Sequence, residues 1–170
     1  MKEQELKKSC WDSEKNSTWE VGNNSFCPLC NSKGIEVKNI TIKHLVIDEF
    51  LDEIKENTYF ICMNEECNIV YFNPYLGTSY SKQQVRMPIW FKKDANPKYI
   101  CYCNEVTEQQ IINAVINNGA KDIKDIIRLT GAMKNGKCEI NNPLGKCCSP
   151  FIQEAINKSL NIKDKSSLQK

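Results

Sequence analysis

The sequence predicts an α+β protein in which a small α/β module precedes a helical module. Residues 26–98 combine one apolar stripe at helical spacing with short runs of β-branched and aromatic residues. Residues 99–160 contain three segments with helix caps and helical apolar spacing. Two cores of this size usually need metals or disulfides for stability, and the 170-residue chain has ten cysteines. We therefore expect these cysteines to stabilise the fold through metal sites or disulfides.

Both ends of the chain are polar, and the N-terminal end indicates the cellular compartment. Residues 1–25 are expected to form a flexible lead-in, and residues 161–170 a flexible tail. The first residues are charged and have no apolar segment typical of an export signal, which predicts a cytoplasmic protein with reduced thiols. No apolar run approaches the ~18 residues that span a bilayer, so membrane insertion is not expected.

The elements of the first module begin with a helix that Thr41 is predicted to cap. Two strands are expected at T-Y-F-I-C and N-I-V-Y-F, and a third over residues 85–91, where Pro88 favours an edge or irregular position. The polar stretch at residues 92–98 is expected to be a linker. The apolar face of the helix would consist of Leu45, Val46, Phe50, Leu51 and Ile54.

The second module is predicted to contain three helices. The first begins at a capping box on Thr107 and stops before Gly119, and the second starts near Asp122 and ends at Gly131. The third would be capped by Ser149, with a proline at its first helical position.

Four cysteines of the first module have the spacing of a zinc site. Cys27 and Cys30 form a C-x2-C turn, and Cys62 and Cys67 follow as a second pair after a gap of 31 residues. Two such pairs supply the four thiolates of a tetrahedral, closed and therefore structural zinc ion. The alternative, four packed cysteines without metal, is disfavoured because both pairs lie beside turn residues.

The second module has a different cysteine pattern, which favours a 2Fe-2S cluster. Cys101 and Cys103 are one residue apart, and residues i and i+2 of an extended segment can direct both thiolates at one cluster. Cys138 and one of Cys147 or Cys148 would complete the ligand set. A second zinc ion remains the alternative for this site, although C-x-C spacing suits clusters better than zinc knuckles.

Of the two adjacent cysteines, Cys148 is predicted to be the fourth ligand and Cys147 is the alternative. Cys148 directly precedes the third helix, whose N-terminus stabilises a negatively charged cluster. Cys147 would then be a thiol close to the cluster.

Taken together, these motifs resemble a known domain. The segment C101-Y-C-N-E-V-T-E-Q-Q-I with the later cysteines is similar to the 2Fe-2S module of bacterioferritin-associated ferredoxin. The N-P-L-G-K-C-C stretch and the preceding C-P-L-C and C-x4-C pairs resemble the N-terminal domain of CopZ-type copper chaperones. The resemblance covers residues 26–160 and implies one zinc ion and one 2Fe-2S cluster. CopZ-type chaperones add a domain with an M-x-C-x-x-C copper loop, which this sequence lacks, so we expect no copper transfer through such a loop.

The resemblance implies a one-electron carrier or redox partner in copper homeostasis, with a copper-handling or iron-storage protein as the partner. The alternative is a cluster-dependent sensing or binding accessory for iron storage or iron-sulfur assembly. No catalytic triad or phosphate loop is evident, so an enzyme is not expected, although a metal reductase role stays open; copper binding itself has no support. Residues 26–100 carry nine basic and nine acidic side chains, which argues against nucleic-acid binding.

The two sites are expected to lose metal independently. Their ligands do not interleave, because Cys67 precedes the predicted linker and Cys101 follows it.

Overall fold

The computed structural model describes residues 25–167, and its first half is built on an antiparallel sheet. Four strands lie in the order β1-β2-β3-β4. Phe60 of β2 pairs with Phe72 of β3, and Ile61 pairs with Tyr71. The strands expected at T-Y-F-I-C and N-I-V-Y-F are confirmed as β2 and β3, whose residues are all buried. The strand bounds are β1 Gly34–Val37, β2 Tyr59–Cys62, β3 Ile69–Asn73 and β4 Thr78–Ser81.

The predicted long helix of the first module is wrong in both its start and its length. Helix α1 runs only over Asn39–Leu45, and a separate 3-10 turn follows at Asp48–Glu53. Val46 between them is extended and forms a β-bridge with Val85. The β-branched pair at residues 46–47 favours extended backbone, which explains the interruption. Thr41 lies inside α1 and is not its cap.

The strand expected over residues 85–91 is also wrong. A 3-10 turn at Lys82–Gln84 precedes this segment, and the bridge of Val85 to Val46 is its one β-pairing in the described residues. Pro88 lacks the N–H that a ladder requires, so the irregular path agrees with its position. Within the linker expected at residues 92–98, Lys92 is only 1% exposed, whereas residues 93–98 are exposed or partly exposed.

The second half combines a short hairpin with four helices. Thr107 caps α2 with its side chain, as expected. Helix α3 starts where it was expected, with Asp122 as its side-chain cap, and ends at Gly131, which has a φ of 79°. Helix α4 was not anticipated from the sequence, since it has a single turn and no side-chain cap. The element bounds are β5 Tyr99–Cys101, β6 Val106–Thr107, α2 Glu108–Ile116, α3 Ile123–Thr130, α4 Cys138–Asn141 and α5 Ser149–Ser167.

Helix α5 corrects the expectation of a flexible tail at residues 161–170. The helix begins at Ser149, so the residue that precedes it is Cys148 and not Ser149, which we expected to be the cap. It continues to Ser167, because no glycine or proline follows Pro150 to stop it. Residues 168–170 lie outside the described residues, as does the expected lead-in apart from Ser25.

The two halves are packed against each other. Trp90 and Phe151 border the hydrophobic cores of both halves. The hydroxyl of Tyr71 donates to the carbonyl oxygen of Pro143 at 2.8 Å, which ties β3 to the loop before α5. No helix within residues 25–167 has both the length and the apolar character needed to cross a membrane.

Candidate metal centres

The four cysteines of the first module meet at one point. The sulfur atoms of Cys27 and Cys67 are 3.8 Å apart, and those of Cys30 and Cys62 are 3.5 Å apart. All four lie within 4.8 Å of one another, and among the described residues this is the one group of three or more metal-ligating side chains that does so. Such a closed set of thiols matches a single tetrahedral zinc ion.

Local backbone structure prepares this arrangement. The N–H of Asn31 donates to the carbonyl of Cys27 at 2.9 Å, and Asn31 adopts a φ of +56°, which closes the C-x2-C turn. Cys62 is the last residue of β2, and Cys67 comes two residues before β3. Because β2 and β3 are paired, their loop carries the second cysteine pair back to the first.

The thiols of this set differ in acidity. Burial opposes ionisation of Cys30, but hydrogen bonds with Ser32 and with the thiols of Cys62 and Cys27 lower its pKa to about 6. Burial raises the pKa of both Cys62 and Cys67. Metal binding must therefore displace protons from the buried thiols, which couples zinc binding to folding.

A buried lysine beside the zinc set was missed by sequence reasoning. The ammonium group of Lys92 donates to three carbonyl oxygens of the loop around Cys62 and Cys67: that of Cys62 at 3.0 Å, that of Asn64 at 2.8 Å and that of Ile69 at 2.9 Å. Lysine is almost never fully buried unless it is paired, and here three acceptors compensate its lost hydration. Its position in a polar stretch offered no signal of burial.

The cysteines of the second module also converge. Cys101 ends β5, Cys103 lies in the β5–β6 turn, Cys138 begins α4, and Cys148 directly precedes α5. The sulfur atoms of Cys103 and Cys138 are 3.8 Å apart. The thiol of Cys148 lies close enough to those of Cys101 and Cys138 to shift the pKa of both. The structure thus joins the four predicted ligands in one chain of contacts, while Cys147 is half-buried beside them.

Backbone amides of the loop between α3 and α4 point at this set. The N–H of Met133 donates to the sulfur of Cys101 at 3.4 Å, and that of Lys137 donates to the sulfur of Cys103 at 3.3 Å. Met133 adopts a φ of +63° to make this contact. Sequence reasoning missed this loop, because backbone donors leave no side-chain signature. Amide hydrogen bonds to ligand sulfurs are one of the means by which proteins set cluster potentials.

The thiols of the second set also differ in acidity. The hydrogen bond with Cys148 lowers the pKa of Cys101 to about 5, and the Met133 amide contributes to this shift. The contact with Cys148 likewise lowers the pKa of Cys138 to about 6. The same contacts raise the pKa of Cys148, and burial raises that of Cys103.

The shape of the second set differs from that of the first. The sulfur atoms of the zinc set all lie within 4.8 Å of one another, whereas those of the second set do not. A wider set of four thiols with amide donors suits two bridged irons, since their ligands are shared between two metal positions. The residues present therefore fit a 2Fe-2S cluster.

One side of this site is buried and the other reaches the surface. Cys101 and Cys148 are 0% and 2% exposed, whereas Cys103 and Cys138 are partly exposed. Cys103 lines an open cavity of about 700 Å³, whose walls include His44, Met87 and Lys134. A cluster at this site would have one edge close to solvent.

Comparisons with known proteins agree with both sites. Residues 24–86 match the family model of the CopZ zinc binding domain, and residues 99–158 match that of the BFD-like 2Fe-2S binding domain. The copper chaperone CopZ of Archaeoglobus fulgidus is 34% identical over 122 residues, which is 72% of this chain. The chain spans 57% of the length of that relative.

A solved structure is similar over nearly its whole length. The X-ray structure of the Archaeoglobus fulgidus CopZ N-terminal domain superposes with a TM-score of 0.64 at 32% identity, covering 76% of this chain and 95% of that one. The cofactors are therefore a zinc ion and a 2Fe-2S cluster, as the cysteine sets indicate. From the order of its two modules and this likeness, the chain belongs to the CopZ family, whose zinc binding domain here precedes a BFD-like 2Fe-2S binding domain.

Proposed function

We propose that the two cysteine sets hold the two cofactors separately. The zinc ligands are Cys27, Cys30, Cys62 and Cys67, whose sulfur atoms converge on one point. The cluster ligands are Cys101, Cys103, Cys138 and Cys148, whose thiols form a continuous chain of contacts. Cys148 serves as the fourth ligand because its thiol reaches two other members of the set.

With these ligands, the protein acts as a one-electron carrier or redox partner. The observation that carries this proposal is the unequal burial of the cluster ligands: Cys101 and Cys148 are enclosed, while Cys103 faces an open cavity. Enclosure limits hydrolysis of the cluster, and an exposed edge shortens the distance to a redox partner. The zinc ion stabilises the fold, since four thiolates leave it no open position for catalysis.

The cellular role we propose is redox work in copper handling. The support is the relative named copper chaperone CopZ, and the partner would be a copper-handling protein. A cytoplasmic location suits this role, because thiol ligands stay reduced there.

The decisive experiment is anaerobic purification followed by metal analysis, visible absorption and electron paramagnetic resonance during repeated reduction and oxidation. We expect two irons, two sulfides and one zinc per chain, and a cluster that survives several redox cycles. Loss of the cluster at its first reduction would refute the carrier function.

The copper role needs a separate measurement. Copper(II) added to the reduced protein with a copper(I)-specific chelator should yield one copper(I) for each cluster reoxidised, because each reduced cluster gives one electron. Redox-dependent capture of a partner without any electron delivery would instead favour the sensing accessory.

A further inference from the structure

The segment from Pro88 to Lys93, here called the connecting segment, is bound tightly to the zinc loop. The ammonium of Lys92 holds the three carbonyl oxygens around the second zinc cysteine pair. The N–H of the neighbouring Lys93 donates to the carbonyl oxygen of Glu65 at 3.0 Å. Four backbone carbonyls of residues 62–69 therefore accept hydrogen bonds from this segment.

The other end of the connecting segment holds the residue between two cluster cysteines. Tyr102 is 5% exposed, and its hydroxyl donates to the carbonyl oxygen of Pro88 at 2.6 Å. The hydroxyl oxygen of Tyr102 also accepts a hydrogen bond from the N–H of Trp90 at 3.0 Å. Because Tyr102 lies between Cys101 and Cys103, these two bonds set the position of the C-x-C backbone relative to the zinc module.

The charge of the buried lysine suits a zinc-loaded site. Zinc with four thiolates carries net negative charge, and the Lys92 ammonium lies buried behind the loop that supplies two of them. Burial lowers the pKa of Lys92, and the neighbouring thiolates oppose that shift. A zinc-thiolate site therefore helps to retain a lysine in a place where an isolated charge would be costly.

We propose that zinc binding and cluster retention are coupled through the connecting segment, with Lys92 and Tyr102 as its positioning residues. Loss of zinc frees the loop at residues 62–69, which weakens the hydrogen bonds that hold Lys92. Pro88 and Trp90 then no longer constrain Tyr102, and the C-x-C ligands lose their fixed spacing. This replaces the expectation that the two sites lose metal independently. It rests on the ligands proposed above but not on the electron-carrier role.

The first test compares cluster loss with and without zinc, using the oxidised full chain throughout. Zinc is removed by a chelator, far-ultraviolet circular dichroism monitors the fold, and visible absorbance follows cluster loss in air. We expect zinc removal to accelerate loss about fivefold or more, as for one net hydrogen bond or more. In Tyr102→Phe the zinc-loaded protein should already lose its cluster about fivefold faster, and zinc removal should add little.

The matched control is Tyr99→Phe, which removes a hydroxyl from β5 three residues before Tyr102, at a position whose ring contacts Tyr102. This variant should retain the full zinc dependence of the wild type. A zinc dependence that is equally large in Tyr102→Phe would overturn the proposal, as would an absence of any zinc effect in the wild type.

If the zinc-free chain unfolds, the effect of the cluster on zinc binding can be measured instead. Coupling between two binding sites is reciprocal, so the cluster should stabilise bound zinc as zinc stabilises the cluster. At equilibrium, a chromophoric chelator should withdraw more zinc from the cluster-free protein than from the loaded protein, and Tyr102→Phe should abolish this difference. Lys92→Met should accelerate both zinc transfer and cluster loss. Lys93→Met is its control, since the side chain of Lys93 is 71% exposed and its ammonium pairs with Glu66. Equal behaviour of the two lysine variants would exclude Lys92 as a positioning residue.

Discussion

Replacement of Gly145 by alanine should destabilise the protein through a single contact between its two halves. Gly145 has a φ of +65°, and a Cβ atom there would lie 2.6 Å from the Oγ1 of Thr41. That hydroxyl is buried and donates to the carbonyl oxygen of Glu139 at 2.6 Å. The added methyl therefore competes with a hydrogen bond between α1 and α4.

The magnitude has two parts. A side chain in the left-handed region costs about 1–2 kcal/mol. The overpacked contact, including displacement of the Thr41 hydroxyl from Glu139, costs about 1–3 kcal/mol more. Gly145→Ala should thus lower the free energy of unfolding by about 2–5 kcal/mol. Gly119→Ala is the matched control: it has a φ of +72° with no atom within 4 Å, so only the backbone cost of about 1–2 kcal/mol applies.

Thermal unfolding of the metal-loaded proteins under anaerobic conditions, at one scan rate, measures these differences. A chain of this size loses about 2–4 °C of midpoint temperature per kcal/mol. Thr41→Ala removes the clashing oxygen, so the Gly145→Ala/Thr41→Ala double variant should be more stable than the sum of its single variants predicts, by about 1–3 kcal/mol. Additive effects of the two substitutions, or equal effects at Gly145 and Gly119, would refute the reasoning.

Three further outcomes are expected. Cys148→Ser should abolish or strongly alter the visible spectrum, while Cys147→Ser leaves it close to wild type; the opposite result would make Cys147 the fourth ligand. Cys27→Ser should lose zinc and lower the unfolding temperature, because structural zinc binding contributes folding energy, and retention of one zinc per chain would argue against this site. Tyr71→Phe should cost about 1 kcal/mol in urea unfolding, because the carbonyl oxygen of Pro143 loses its donor; an unchanged midpoint would mean that water replaces the hydroxyl.

Local signals account for the parts of the fold that the sequence predicted well. The caps of α2 and α3 depend on side chains three residues from the amides they satisfy, so Thr107 and Asp122 mark the helix starts directly. The prediction of a long helix from Thr41 was wrong because a contact distant in sequence decided the local structure. Its apolar spacing was helical, but the β-bridge of Val46 with Val85, 39 positions away, interrupted it.

The sequence by itself indicated the cofactor chemistry, because thiolate number and spacing favour particular metals, and it left a second zinc ion as the alternative for the second site. Cys27 with Cys30, and Cys101 with Cys103, are close along the chain, so the ligation predicted for each pair is a local property. The tertiary structure alone decided how the two centres are joined. Lys92 reaches carbonyls 23 to 30 positions away, and the Tyr102 hydroxyl crosses to the zinc module. Such contacts form only when both cores pack, since a buried charge or hydroxyl takes whichever acceptors the fold provides.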